Sequence, residues 1–460
     1  MSVTQQSGNR LGHLIQHLQT PTSILPLVIF RIAFGLLMFF STLRFISNGW
    51  VVDLYIRPQF HFTYLWFDWL QPLPGLWMFL PFFLLLILSL CIVVGFGYRL
   101  SMTLFFLCFT YIELIDKAYY LNHYYFISLL SFLLIFLPLH RAFSIDMRLR
   151  PHLRLTHVPA WTIAAIQLQL SLVYFFAGAA KLYDDWLLRG IPLNMWLPAR
   201  TDFPLLGRFF SEPFFGLLMS WAGALYDLTI PVWLLWRRTR WLAYLAVIGF
   251  HVLTGMLFPI GMFPWVMIVS ALIFFDEHDY RTLYTITRRY LPLPIWREKA
   301  VPVSKPTTSA GLKPVWLILS VFFIFQVMMP LRFLLYPGYI NWTEQGYRFA
   351  WRVMLVEKAG LALFNVADLD TGERWTVHPA QYLTRHQEKQ MAFQPDMILQ
   401  FAHFIEQQAV AGGRRDVAVH ADVWVTFNGR RSQQYIDPAV DLTLEHNGLH
   451  HKAWILPPAG

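Results

Sequence analysis

The sequence predicts an all-α, multi-span membrane bundle of about nine transmembrane helices, followed by a small extracytoplasmic α+β domain. Hydrophobic residues make up 56% of the 460 residues and charged residues only 14%, whereas soluble domains carry about 25% charged residues. Apolar runs recur along the first 335 residues, and many approach the roughly 20 residues that a helix needs to span a bilayer. Beyond them the hydrophobic pattern changes to short alternating runs.

The apolar runs lie near residues 24–45, 76–96, 100–116, 124–139, 160–181, 214–236, 241–257, 262–275 and 314–335. The third, fourth and eighth runs are short for a full crossing, so they require little tilt or a locally thin bilayer. We therefore expect a cytoplasmic N-terminus at 1–23, a transmembrane bundle at 24–335 and an extracytoplasmic domain at 336–460. The stretch 301–314 is expected to be a flexible cytoplasmic linker.

Basic residues in the connecting loops predict the orientation. Clusters of Arg follow the fourth and sixth runs, and a mixed Arg and Lys cluster lies between the eighth and ninth. All three clusters fall on the same side, which the positive-inside rule places in the cytoplasm. The chain is therefore expected to be an integral multi-pass membrane protein. Because these loops account for the net charge of +9, no nucleic-acid partner is expected.

The last 125 residues predict a mixed domain. The stretches "GLALFNVADL" and "DVAVHADVWVTFNGRRSQQYI" alternate as strands do, and Asn428-Gly429 is typical of a tight hairpin turn. Between them, "PDMILQFAHFIEQQAV" has helical spacing. The two cysteines, Cys91 and Cys108, both lie inside apolar runs, so no metal site is predicted.

A polar stripe follows one side of the fifth apolar run, which ends in "VYFFAGAAKLYDDW". Five residues recur at steps of four and three and so share one helix face: Gln167, Ser171, Tyr174, Gly178 and Lys181. A polar stripe is costly against lipid, so it is expected to face the bundle interior or a cavity. The glycine leaves room for a flat ligand or a neighbouring helix.

Two interpretations of Lys181 follow. It is either an anchor whose amine snorkels to the headgroups or a buried neutral amine that serves as a base. The shared polar face favours the base, because a snorkelling lysine has no reason to lie on it. Asp184 and Asp185 favour the charged form, so the sequence leaves the protonation state open.

Three other polar groups lie within or beside apolar runs. Arg31 lies in the first span and needs a partner or a polar cavity. His123, next to Asn122 at the predicted outer boundary, is either a structural residue of an aromatic belt or a functional one. His251 lies deep in the seventh span, where Thr254 offers a hydroxyl one turn away; it is either satisfied structurally or part of a pocket.

Beyond these local patterns, the chain resembles the vitamin K-dependent γ-glutamyl carboxylase family, also called the horizontally transferred transmembrane (HTTM) domain family. The segments that resemble it are, in order, "FRIAFGLLMF", "DKAYYLNHYYFISLL", "VYFFAGAAKLYDDW", "LFPIGMFPWVM", "GYINWTEQGYRFAW" and "RRSQQYIDPAVDL". Together they extend over nearly the whole chain. The resemblance suggests a bacterial member, in the inner membrane.

The resemblance implies a carboxylase that uses reduced vitamin K, oxygen and carbon dioxide. Lys181 would be the base that deprotonates vitamin K hydroquinone, and His123 would assist. Reaction with oxygen then yields a strongly basic alkoxide, which removes a γ-proton from a glutamate side chain before carbon dioxide adds. A cofactor must supply this basicity because no side chain is basic enough, and a dry pocket protects it from water.

The resemblance also suggests where ligands bind. Tyr347 and Trp351 fall in the segment linked to glutamate binding, and Asn341 and Trp342 begin the outer domain beside it. Further residues are possible pocket residues: Asn122, Tyr174, Gly178, His251, Asp185 and Trp186.

The chain departs from the family after Trp351, where Arg352 and Val356 stand at positions that hold an acid and a histidine in animal members. A second class of function therefore stays open, a membrane protein that binds quinone or lipid without carboxylating; a structural scaffold is less favoured. Retention of Lys181 and His123 favours the enzyme. The expected partners are membrane lipid, a quinone and a glutamate-containing protein or peptide.

Overall fold

The computed structural model describes residues 12–13, 16–289 and 313–458. Apolar helices form at all nine predicted places: α1 Leu25–Ser47, α2 Phe79–Val94, α3 Tyr98–Ile115, α4 Asn122–Phe136, α5 Trp161–Ala179, α6 Pro213–Leu235, α7 Arg240–Leu257, α8 Phe263–Ala271 and α9 Lys313–Leu331. Seven are long and apolar enough to cross a membrane, whereas α4 and α8 are shorter. The helical membrane fold is confirmed, and nine crossings stays a prediction. Residues 301–312 of the predicted linker lie outside the described residues.

The first two loops with basic clusters, the start of the third and the segment just before α1 lie at one end of the bundle. Strand β1 (Pro21–Ser23), before α1, pairs antiparallel with β2 (His157–Pro159), before α5. At the same end, Arg240 forms ion pairs with Asp276 and Asp279. These contacts connect the segments before α1 and α5 and join the α6–α7 connection to the segment after α8.

Arg31 finds its partners within the protein. Its guanidinium is buried and donates to the carbonyl oxygens of Leu139 (3.0 Å), Ala142 (3.2 Å) and Phe143 (2.6 Å). These carbonyls belong to the loop after α4, so Arg31 fixes α1 against that loop. The expectation of an internal partner is confirmed.

The C-terminal domain is a four-stranded antiparallel sheet covered by helices, as predicted. Its strands are β3 Lys358–Asp368, β4 Arg374–Val377, β5 Val417–Phe427 and β6 Gln433–Gln434, in the order β4-β3-β5-β6. Helices α10 (Arg385–Met391) and α11 (Pro395–Ala411) complete the core. Asn428 and Gly429 both have positive φ, 50° and 73°, which confirms the predicted turn after β5.

Buried charges join this domain to the bundle. Lys117, in the loop after α3, lies 2.8 Å from Asp396 of α11, and Arg348 lies 2.6 Å from the same carboxylate. Burial lowers the pKa of Lys117 to about 8 even though Asp396 opposes the shift. Burial also disfavours the Asp396 carboxylate, yet the two cations outweigh it and lower its pKa far below the usual range. Lys117 of the bundle and Arg348 of the outer domain thus share one carboxylate, which holds the outer domain to the bundle.

Candidate functional site

A largely apolar cavity lies at the end of α5 that faces the C-terminal domain. Its walls come from helices α4 to α8, the connection 186–197 and the segment 351–354, and its volume is about 110 Å³. Polar groups on the walls are few: Asn122, His123, Tyr174, Lys181, Asp227, His251 and Thr254. A concave apolar site with a few convergent polar groups is the usual form of a small-molecule site.

Lys181 lies in the wall of this cavity, just beyond the end of α5. A turn closed by its backbone N–H and the Gly178 carbonyl (3.0 Å) carries the chain off the helix. The Lys181 Nζ atom donates to the Ala177 carbonyl at 3.2 Å and to Asp227 Oδ2 at 2.7 Å. The lysine is only 7% exposed and the aspartate 6%. The amine therefore does not snorkel to the headgroups, and its charge is paired inside the protein.

Asp227 comes from α6, on a face of small residues that packs against the end of α5. Ser220, Gly223 and Asp227 follow at helical spacing, and the Ser220 carbonyl accepts from Trp186 Nε1 at 2.7 Å. The Trp186 ring lies 5.4 Å from Lys181 Nζ. The sequence interpretation missed Asp227, although it is the one acid in its apolar run. A lone acid within a span is itself a signal of function.

The expectation that Asp184 and Asp185 act on the amine is wrong. Asp184 is exposed, and Asp185 accepts hydrogen bonds from Arg430 (2.8 and 2.9 Å) and Asn428 (2.8 Å) of the outer domain. Asp185 therefore clamps the two parts of the molecule and does not line the cavity. The turn after α5 points successive side chains in different directions, which sequence proximity does not reveal.

Two histidines face the cavity from different helices. His251 Nε2 lies 3.1 Å from the Tyr174 hydroxyl, while its Nδ1 is buried and has no hydrogen-bond partner among the described residues. The Thr254 hydroxyl donates to the backbone carbonyl of His251, so it does not satisfy the imidazole. His123 packs 5.8 Å from the Phe263 ring and has no hydrogen bond within the described residues. Each ring thus retains a nitrogen for a ligand.

The outer wall of the cavity is a conformationally strained segment. Phe349, Trp351 and Met354 have positive φ values of 62°, 57° and 52°, which bulky residues rarely adopt. Trp351 is 1% exposed, and its indole N–H has no partner in the part of the chain that the structure describes. Strained backbone and unsatisfied donors tend to occur together at ligand sites, because the surrounding fold imposes them.

Only two of the five residues in the polar stripe of α5 line the cavity. Tyr174 and Lys181 reach it, but Gln167 donates to the Ile273 carbonyl at 3.2 Å, and Ser171 donates to Gln167. Gly178 approaches α6 so closely that an added Cβ would lie 2.8 Å from Leu228. Of the two roles expected for this glycine, helix packing is the one that the structure shows.

Among the predicted substrate residues, only Trp351 lines the cavity. Trp342 is wholly buried in the outer domain, where its indole N–H donates to the Leu456 carbonyl at 2.7 Å. Asn341 accepts from Arg352 at 2.9 Å, and the Arg352 guanidinium lies 5.9 Å from the Tyr347 ring. Asn341, Trp342 and Tyr347 therefore lie behind the strained segment and support it, rather than lining the cavity.

Asn122 links that support to the membrane helices. It lines the cavity and donates from Nδ2 to the Arg352 carbonyl at 3.0 Å. Val356 packs at the edge of the outer-domain core. The cavity is therefore closed from outside by a segment that α4 and the outer domain hold jointly.

The site suits a flat aromatic ring with polar oxygens. Apolar walls enclose it, and two residues of these walls carry a buried ring nitrogen without a partner among the described residues, Nδ1 of His251 and Nε1 of Trp351. In sequence, residues 19–278 match the HTTM domain, and residues 312–459 match the lumenal domain of vitamin K-dependent gamma-carboxylase. No solved structure matches the chain.

Proposed function

We propose a function on the premise that this chain belongs to the vitamin K-dependent gamma-carboxylase family: it carboxylates glutamate side chains at the expense of reduced vitamin K, oxygen and carbon dioxide. When bound and oxygenated, reduced vitamin K supplies the strong base that the γ-proton of glutamate demands. The protein's own task is to hold the cofactor, accept its proton and exclude water.

The observation that supports this proposal most is the buried pair of Lys181 and Asp227 in the wall of an apolar cavity. In the ion-pair form the ammonium cannot accept a proton. Transfer of one proton from Lys181 Nζ to Asp227 Oδ2 produces a neutral amine, which can then accept a proton from the cofactor hydroxyl. The pair therefore acts as one proton acceptor and adds no net charge to the cavity beforehand.

The remaining wall residues position the ligands. His251, fixed by Tyr174, and Trp351 have free ring nitrogens for the cofactor's oxygens, and His123 completes the site from α4. The outer segment presents the glutamate: Trp351 lies at the cavity, and Tyr347 lies behind it, with Asn341 and Trp342 holding the segment in place.

The proposed orientation places the N-terminus in the cytoplasm and the C-terminal domain outside, in a bacterial inner membrane. The gathering of the N-terminal segment and the basic loops at one end supports it. Reporter fusions after Arg240 and after residue 460 should then read inside and outside. Two reporters on the same side would contradict the orientation.

The test uses purified chain, reduced vitamin K, a glutamate-containing peptide and labelled bicarbonate. We expect the parent to incorporate label and to epoxidise the quinol. Lys181→Ala should lower both rates by about 10²–10⁴-fold, the usual contribution of a positioned base. Lys181→Arg should be equally poor, because arginine keeps the ion pair but has no accessible neutral form.

Lys389→Ala, at an exposed position of the outer domain, is the matched control and should retain full activity. Wild-type epoxidation in Lys181→Arg would show that the amine is not the base, and that its positive charge alone suffices. Each variant is compared only after thermal unfolding shows that it folds.

A second candidate function is quinone or lipid binding without carboxylation. Arg352, at a position where animal family members hold an acid, favours it, because its guanidinium is committed to Asn341. Quinone binding with neither quinol-dependent oxygen uptake nor incorporation of label would support this alternative.

A further inference from the structure

A second cavity lies on the other side of α4 from the Lys181 cavity, between α3, α4 and α9. Its volume is about 690 Å³, roughly six times that of the first cavity at 110 Å³. The inner walls are aromatic, with Phe106, Phe132 and Phe322. On α9, Leu317 and Val321 are 67% and 60% exposed, so this cavity opens sideways toward the lipid.

Among the described residues, Thr110 and Glu113 line this cavity without a hydrogen bond, and Gln326 lines it with a side-chain nitrogen that has none. Thr110 and Glu113 lie one turn apart on the same face of α3. The Thr110 hydroxyl oxygen is buried and has no hydrogen bond. The Glu113 carboxyl lines the same wall, and within the described residues it has neither a hydrogen bond nor an ion pair. Buried polar groups in native proteins are normally satisfied, so the pair indicates a ligand.

The chemistry of the walls restricts that ligand. No Lys, Arg or His is among the lining residues. An isolated carboxylate in an apolar setting is very costly, so the acid form is favoured there, and it offers an O–H donor. Thr110 offers a second. A neutral molecule with carbonyl acceptors and an apolar body satisfies both donors, whereas an anionic phosphate would find no counter-charge.

A stacked pair of aromatic rings, one from each wall, lies between the second cavity and the first. Tyr125, from the wall of the second cavity, stacks on Trp351, from the wall of the first, with ring centroids 5.0 Å apart. Phe349 packs 4.8 Å from the Tyr125 ring. The two ring-bearing residues of the outer segment, Phe349 and Trp351, are both held at positive φ.

We propose that the second cavity is a binding site for an oxidised isoprenoid quinone. Its ring carbonyls accept hydrogen bonds from Thr110 and Glu113, and its tail leaves between the exposed side chains of α9. Such a site, behind the stacked rings of Tyr125 and Trp351, holds cofactor arriving from the membrane or leaving the reaction site. The choice of ligand class rests on the proposed function, whereas the cavity and its unpartnered groups do not.

The test is equilibrium binding of labelled, oxidised menaquinone to the full-length chain in detergent, without reductant or peptide. We expect two molecules per chain in the parent. Ser128→Phe fills the second cavity and should leave one; Gly223→Phe fills the first cavity and should also leave one. Leu107→Phe, on the exposed side of α3, is the control and should leave both.

A double variant tests the polar groups without adding bulk. Thr110→Val with Glu113→Leu should weaken the site that Ser128→Phe removes by about tenfold or more, since two hydrogen bonds are lost. Quinone binding that Ser128→Phe leaves unchanged overturns the proposal, as does an unchanged affinity in the double variant. Displacement by phosphatidylglycerol at equal concentration would identify a phospholipid site instead. Because no turnover is measured, a failure of carboxylation leaves this result standing.

Discussion

Each of the two cavities contains an acidic side chain from a membrane helix, but only the acid in the first cavity has a counter-charge in the part of the chain that the structure describes. In the first, Asp227 is held 2.7 Å from Lys181 Nζ, so burial of both charges is balanced by their attraction and hydrogen bonds. In the second, Glu113 has no counter-charge within the described residues and faces apolar walls. The burial cost of a paired acid is offset by its partner, with which it can exchange a proton. An unpaired acid is a cost that a ligand can relieve.

The largest expected effect comes from breaking the pair in the first cavity. Asp227→Leu leaves an uncompensated ammonium in an apolar wall, which we expect to cost about 3–5 kcal/mol of unfolding free energy. The double variant Lys181→Met with Asp227→Leu should recover most of that loss while remaining inactive. Thermal unfolding in detergent measures both. If the double variant melts no higher than Asp227→Leu, the cost comes from packing and not from charge.

A smaller effect is expected at the clamp between the bundle and the outer domain. Asp185→Asn weakens the hydrogen bonds from Arg430 and Asn428 and should cost about 1–3 kcal/mol, toward the lower end because Arg430 is partly exposed. Limited proteolysis between the two parts should become faster. In this variant Lys181 remains paired with Asp227, so the pair that is proposed to accept the cofactor's proton is unchanged.

The same clamp predicts a pH dependence. Burial opposes ionisation of Asp185, but hydrogen bonds from Arg430 and Asn428 outweigh it and lower its pKa. A lowered pKa contributes stability above the unfolded value of about 3.9, and this is lost as the pH falls further. The melting difference between parent and Asp185→Asn should therefore shrink below about pH 4. If the difference in melting temperature stays constant down to about pH 3, the loss of stability in Asp185→Asn comes from altered packing and not from the lost charge.

The smallest effect, of opposite sign, is expected in the second cavity. Glu113→Leu removes an unpartnered carboxyl, so in the absence of quinone the variant should melt at or slightly above the parent, within about 1 kcal/mol. Glu113→Gln should behave like the parent. A large loss of stability in Glu113→Leu would mean that the carboxyl has a structural partner, and the contrast between the cavities would disappear.

The sequence predicted the membrane bundle, the outer α+β domain and its hairpin turn because these depend on local properties. Length and hydropathy define an apolar helix, and Asn428-Gly429 favours the positive φ values that the turn requires. Arg31 was also correctly expected to have an internal partner, since a guanidinium cannot remain unpaired in lipid. The resemblance to the family, carried by local motifs, agrees with the two family matches.

The partner of Lys181 could not be read from the residues beside it. Asp184 and Asp185 are near in sequence, but the turn after α5 directs one to solvent and the other to Arg430. Asp227 lies 46 positions away on another helix. Its presence as a lone acid in an apolar run was visible, yet a pairing across helices depends on their rotation and approach.

What the sequence by itself determined is therefore the list of parts: apolar helices, their order, an amine at the end of α5 and a domain of alternating strands. Tertiary structure alone decided which polar groups meet. The close approach of α5 and α6 at Gly178 brings Asp227 to Lys181, while the gap between α3 and α9 leaves Glu113 alone. The physical reason is that hydropathy acts along the chain, whereas the cost of burying a charge depends on the groups that the fold places within a few ångströms of it.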